Sequence, residues 1–221
     1  MTTLWQDLRE TLLELLFPTR CCFCRRLTGR GQPVCRACLA KYPDVPPASQ
    51  RQTLRGLDDC VSPLWYEGAA RDALLRYKFH GLNVYASPLA NFMRKCLDEN
   101  GISCDSITWV PLSRRRLRRR GYDQARLLAE EIAAARGRRA EKLLEKTRDT
   151  RPQSGMGGRE ARRRNAAQAY RVIDPAQVAG RHILLVDDIV TTGETLMECA
   201  RVLRAAGAAS VSAVTAARKK E

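Results

Sequence analysis

From Asp105 onward the apolar positions fall alternately into short continuous runs and helical stripes. Residues 107–110 (ITWV) form a run short enough for a buried strand. Residues 123–136 (DQARLLAEEIAAAR) set Ala125, Leu128 and Ile132 on one helical face, and Gly137 is the stop. HILLVDDIV (182–190) opens as a buried strand, ETLMECARVLRAAG (194–207) is a helix closed by Gly207, and VSAVT (211–215) is a further strand. Strands alternating with helices predict a parallel sheet flanked by helices, the α/β class.

Upstream, residues 69–79 predict a helix with Ala70, Leu74 and Tyr77 on one side, broken at Gly81, and 87–98 a second with Pro88 in its first turn. VSPLWY after Cys60 is a strand or loop entry. Leu4, Leu8, Leu12 and Leu15 make one stripe of an amphipathic helix over 3–17. Residues 43–55, rich in Pro and polar groups, are expected to link two units: a helix and cysteine module at 1–45 and the α/β domain at 56–221. Residues 146–168 are basic and lack clean periodicity, which suits a lid or a disordered segment.

Charge adds a partner class. Lys and Arg number 39 against 24 Asp and Glu, a net +15, which favours polyanions: nucleic acid, phosphates or an acidic membrane surface. A solvated arginine face is the plainer alternative. No run of eighteen apolar residues occurs, so no membrane span is expected. The first residues carry Asp7, Glu10 and Glu14 and lack a basic leader, so a cytoplasmic location is expected.

Nine cysteines is an odd count, and four fall into two close pairs. Cys21 and Cys24, then Cys35 and Cys38 ten residues on, give two C-x₂-C turns. Each turn aims two sulfurs at one centre, and two together close a thiolate tetrahedron around structural zinc. A redox dithiol, a lost metal site and unliganded buried cysteines are the alternatives. Cys22 is spare, and Cys60, Cys96, Cys104 and Cys199 suit small core positions. A closed tetrathiolate site leaves no position for water, so its role is folding or docking.

The sharpest chemistry lies at 183–195. A buried strand ends at Asp187 and Asp188, a loop of Thr191, Thr192 and Gly193 follows, and a helix opens at Glu194 and Thr195. Backbone N–H groups at a helix start attract phosphate, Gly193 permits close approach, and the threonines add hydroxyls. The carboxylates suit ribose hydroxyls and a hard Mg²⁺ ion. A plain helix cap is the alternative. A Walker-type loop is excluded, because no G-x-x-x-x-G-K-[ST] occurs.

This segment resembles the phosphoribosyl pyrophosphate motif of type I phosphoribosyltransferases. Val110-Pro111-Leu112-Ser113, the RRRLRRR run at 114–120 and Gly121-Tyr122-Asp123-Gln124 are similar to the ComF and GntX-like family. So are Thr150, Gln153, Arg164-Asn165 and Tyr170, and the family carries an N-terminal four-cysteine finger. Asp123 departs from the Asn usual there, and 153–165 is a residue longer than the family pattern.

The resemblance implies a type I phosphoribosyltransferase-like fold with a small zinc module. It implies that Asp187 and Asp188 bind ribose hydroxyls and that Thr191, Thr192, Gly193, Glu194 and Thr195 hold the 5-phosphate. Leu112, Ser113, Arg114 and Arg115 would face pyrophosphate, with a non-proline cis peptide near Leu112–Ser113. Residues 146–165 would form a mobile hood. Arg118, Arg119 and Arg120, with Arg159, Arg162 and Arg163 of the hood, are candidates for anion or nucleic-acid contacts. The implied ligand is phosphoribosyl pyrophosphate, or a related phosphorylated ribose, with Mg²⁺. The implied role is handling of single-stranded DNA in DNA uptake (competence), with DNA-uptake proteins as partners. The alternative is an active pentosyl transferase of nucleotide metabolism. Its clamp on the leaving group would come from Mg²⁺ and arginines, and its acceptor is not readable in the sequence.

Overall fold

A computed structural model describes residues 18–147 and 169–220. The expected helix at 3–17, most of the hood and Arg159, Arg162 and Arg163 lie outside the described residues.

Strands β6 (His182–Val190) and β7 (Ser210–Arg218) are the longest, and they pair in parallel from His182–Ser210 to Val190–Arg218. Helix α6 (Glu194–Ala205) joins them in a βαβ unit. β3 (Ser106–Trp109) lies on the far side of β6, with Trp109 opposite Val186. The other edge is a strand broken at Ser62-Pro63: β1 (Asp59–Val61) and β2 (Leu64–Trp65) both pair with β7. The whole sheet is parallel, as expected. β6 reaches past both aspartates, and β7 is longer at its carboxyl end than its apolar run suggested.

Strand periodicity sorts the core into two layers. Leu184, Val186, Ile107, Trp109 and Val214 pack with helices α2 (Gly68–Phe79), α3 (Ala86–Glu99) and α5 (Gln124–Ala134). Ile183, Leu185, Val211 and Ala213 face α6 through Leu196, Cys199, Ala200 and Leu203. A small antiparallel ribbon, β4 (Leu144–Lys146) and β5 (Tyr170–Val172), closes that side.

The cysteine module belongs to the first layer. Cys21, Cys22, Phe23, Val34, Cys38 and Tyr42 are buried in the same cluster as α2 and α3. Phe23 stacks on Tyr42 with ring centroids 4.2 Å apart and meets Phe92 edge-on at 5.8 Å. Arg76 donates to the carbonyls of Cys22 and Phe23 at 2.8 and 3.0 Å.

The segment read as a linker is a packed strap. It contains one helical turn (Pro47–Gln50), and Gln50 is 1% exposed. The Gln50 amide oxygen accepts from Asn100 at 2.7 Å, and Arg51 pairs with Asp59 at 2.8 Å. Composition suggested a free connection, but these polar side chains find partners on α3 and β1.

RRRLRRR is a helix, α4 (Arg114–Arg120). Arg has good helix propensity. Ser113 caps the start by accepting from the Arg116 N–H, and Gly121, at φ +83°, closes the end.

Candidate functional site

Alternation along β6 sends its two carboxylates to opposite faces of the sheet at its carboxyl end. Asp188 shares the face of Leu184 and Val186 and meets α2, where Lys78 Nζ lies 2.8 Å from its Oδ1. Both partners are largely buried, the side chains 18% and 12% exposed. Asp187 shares the face of Ile183 and Leu185, and one of its oxygens accepts from the Asp188 N–H at 2.8 Å.

Burial, and then the charge of Asp188, push the Asp187 carboxyl up to about 8, against opposing pulls from Lys78 and the Asp188 N–H. The native state therefore binds more protons than the unfolded chain between pH ~4 and about 8, and stability falls as pH rises through that window. Asp187→Asn is expected to flatten this slope. Urea midpoints at pH 6 and pH 9 measure it; equal slopes in both proteins would contradict the assignment.

Past Val190 the chain turns at Thr191 and Thr192, and Gly193 takes φ +74° before α6. Thr191 is exposed, while Thr192, Glu194 and Thr195 are half-buried. Among the described residues, the hydroxyls of Thr191, Thr192 and Thr195 have no hydrogen-bond partner. The first N–H groups of α6 are likewise without an intrahelical acceptor, so the loop is a ready anion seat. Leu54 of the strap lies against its back. A methyl on Gly193 would meet Leu54 Cδ2 at 2.6 Å and Cδ1 at 2.8 Å. Gly193→Ala is thus expected to cost ~1–3 kcal/mol in urea denaturation, from the left-handed backbone and the clash together. Leu54→Ala in that background should recover only the steric part.

Asp123 ties the loop after β3 to this centre. Its side chain accepts from the Leu112 N–H at 3.0 Å and caps α5 through the Arg126 N–H at 3.3 Å. Burial, partly offset by those donors, raises its pKa. Six arginines in the seven residues of α4 repel one another, and those in its first turn oppose the helix dipole. A bound anion would relieve both. Arg114, Arg115, Arg118 and Arg119 are exposed. Arg120 is half-buried: its guanidinium bonds Gln124 Oε1 at 2.5 Å and lies 4.9 Å from the Phe79 ring centroid. Burial pulls its pKa below the usual guanidinium range, against the charge of Asp188.

The four paired cysteines converge. The sulfurs of Cys21, Cys24, Cys35 and Cys38 lie within 4.8 Å of one another, and the Cys24 and Cys35 sulfurs are 3.6 Å apart. A tetrathiolate centre with bonds of ~2.3 Å has edges of about 3.8 Å. The cluster could therefore hold a metal ion. Burial alone would raise the Cys21 pKa, but N–H groups of Cys35, Cys24 and Phe23 outweigh it and bring it down to about 6. Cys22, outside the cluster, is pushed up to about 12 by burial and the charge of Cys21, as suits the spare cysteine. Cys60, Cys96 and Cys199 are core residues, while Cys104 is half-exposed.

Residues 126–221 match the phosphoribosyl transferase domain family. The DNA utilization protein YhgH of Escherichia coli O6:H1 is 41% identical over 108 residues, 48% of this chain and 46% of that protein. Competence protein F of Haemophilus influenzae is 32% identical over 105 residues, 47% and 45% of the two chains. Over about half of its length the chain is thus similar to ComF-like proteins, and its carboxyl-terminal part to the phosphoribosyl transferase domain. It spans about half the length of the curated relatives it matches. A third match, the mitochondrial ribose-phosphate pyrophosphokinase 3 of Spinacia oleracea, is 62% identical over 34 residues, 15% of this chain and 8% of that one.

Against the ComF-like pattern, one expectation fails: the Leu112–Ser113 bond is trans, and the one cis peptide among the described residues is Tyr42–Pro43. Ser113 serves as a helix cap instead. Asp123, the departure from the family Asn, serves as the second cap. Lys78 and Phe79 had no signal in the sequence, since one cation and one ring at a helix end are ordinary. No helix among the described residues is long and apolar enough to cross a membrane.

Proposed function

We propose that this chain binds phosphoribosyl pyrophosphate, or a related phosphorylated ribose, together with Mg²⁺, and that it serves single-stranded DNA handling during DNA uptake in the cytoplasm. One observation carries the reading: Asp187 and Asp188 lie near the carboxyl end of a parallel strand, two residues before a threonine–glycine turn whose N–H groups open α6. In open α/β sheets, ligands bind at that end of the strands. Phosphate takes the N–H groups and hydroxyls of Thr191, Thr192, Gly193, Glu194 and Thr195. Asp187 and Asp188 take the ribose hydroxyls. Leu112, Ser113, Arg114 and Arg115 face the pyrophosphate.

Carboxylate oxygens are the ligands Mg²⁺ prefers, and Asp187, crowded by a second carboxylate, gains from a nearby cation. The ion would neutralise pyrophosphate charge. The four-cysteine centre holds structural zinc, in keeping with its sulfur spacing. The exposed Arg118 and Arg119 give DNA phosphates a path along α4, and the relatives' names, DNA utilization protein and Competence protein F, are compatible with that role.

Calorimetric titration tests the site. Phosphoribosyl pyrophosphate with Mg²⁺ is expected to bind one-to-one, and Asp188→Asn to weaken it at least ~10-fold. Equal affinity in the variant would reject the site. In the DNA arm, single-strand affinity falls steeply with salt, and Arg118→Glu with Arg119→Glu reduces the slope. A flat salt dependence would reject DNA binding alone.

A further inference from the structure

The four sulfurs of the cysteine cluster are not equally placed. Cys21 and Cys38 are 0% and 8% exposed and belong to the core, whereas Cys24 is exposed and Cys35 half-exposed. The two accessible sulfurs come from different C-x₂-C turns and lie 3.6 Å apart. The cluster thus has an inner pair facing the core and an outer pair facing water. Reactive cysteines are the partly exposed ones, while buried cysteines are inert. Cys104, also half-exposed, lies outside the cluster. Beside the inner pair, Cys22 and Phe23 are tied to α2 through Arg76, which donates to both carbonyls at 2.8 and 3.0 Å. Further along the same helix, Lys78 meets Asp188.

We infer that Cys24 and Cys35 form a redox switch: a peroxide oxidises them to a disulfide, and the metal leaves. This rests on the zinc reading of the four-cysteine centre. Metal-bound sulfurs are already thiolates, the nucleophilic form. Cys24 Sγ attacks one peroxide oxygen; an S–O bond forms, the O–O bond breaks, and hydroxide departs to leave a sulfenic acid. Cys35 Sγ then attacks Cys24 Sγ; the S–S bond forms, the S–O bond breaks, and a second hydroxide departs. Two thiolates together lose two electrons, and the peroxide gains them. A disulfide holds its sulfurs ~2.05 Å apart, too close for two corners of a zinc tetrahedron with ~3.8 Å edges. Cys21 and Cys38 alone leave the ion half its ligands. The outer pair is the sensor, and Arg76 passes the loosening of the module to α2.

The test treats the full, zinc-loaded chain with hydrogen peroxide. Zinc release is read with a chromogenic chelator, and disulfides are mapped by mass spectrometry. One zinc ion and one Cys24–Cys35 disulfide are expected per chain, both reversed by dithiothreitol with added zinc. Cys24→His keeps a Cys₃His ligand set and should slow release at least ~10-fold, because no outer thiol pair remains. Cys35→His serves in its place if that variant takes up no zinc, and the mapping in the wild type decides in either case. Cys104→Ser should release zinc at the wild-type rate. A chain that keeps its zinc while peroxide consumes the exposed thiols, or that forms a different disulfide, overturns the switch. A chain that binds no zinc when reduced and supplied with it overturns the zinc reading itself, and the switch with it.

Discussion

Replacing Cys38 with serine is expected to cost ~4 kcal/mol or more and to release one zinc ion per chain. Cys38 is 8% exposed and completes the four-sulfur centre, so its loss opens the tetrahedron and leaves a hydroxyl in its place. The effect should exceed the bounds of a small module, because the module shares its core with the main domain. Phe23 and Tyr42 pack into the same cluster as Phe92, Leu74 and Met93. Arg76 anchors the Cys22 and Phe23 carbonyls. Loosening residues 21–42 therefore strips cover from α2, the helix that carries Lys78 to Asp188. Metal content by chelator release and urea unfolding measure the result. Cys22→Ser, outside the cluster, should keep the metal. Equal metal content in Cys38→Ser would contradict the assignment.

The second large effect falls on Lys78. Lys78→Met is expected to destabilise the fold by ~3 kcal/mol at neutral pH, because removing one partner leaves the other buried charge uncompensated. The Lys78 and Asp188 side chains are only 18% and 12% exposed, so solvent cannot replace the lost ammonium. Asp188→Asn in the Lys78→Met background should recover most of the loss, since a neutral amide removes the orphaned charge. The four proteins form a double-mutant cycle whose coupling energy reads the pair directly. A coupling near zero would mean that the contact is incidental. The cycle also separates stability from binding: the double variant is expected to be stable yet poor at holding a phosphorylated ribose.

How much of this was legible beforehand varies with the physics of each element. The β6–α6–β7 unit was, because apolar runs, a glycine–threonine turn and a helical stripe agree on one arrangement. The cysteine centre was too, because C-x₂-C spacing restricts where sulfur points. The arginine helix was not anticipated. Charge density masked a sequence that Ser113 and Gly121 bracket with ordinary caps, and those two residues were the available signal. The strap escaped because its Pro-rich composition resembles a linker, while Gln50 and Arg51 act through long-range partners. Lys78, Phe79 and the cover that Leu54 places on Gly193 depend on tertiary contacts that no local pattern encodes.

Asp187 links the stability and the function of the site. Its carboxyl is crowded by Asp188 and by burial, which disfavours its ionised form in the free protein. A cation and sugar hydroxyls delivered by the ligand would supply what the free site lacks.

A crystal structure of the full chain soaked with phosphoribosyl pyrophosphate and Mg²⁺ tests the central claim most directly. The account predicts the 5-phosphate on the N–H groups of Thr192 to Thr195 and the ribose hydroxyls within hydrogen-bond reach of Asp187 and Asp188. Ligand density elsewhere on the chain, with residues 187–195 bare, would contradict it.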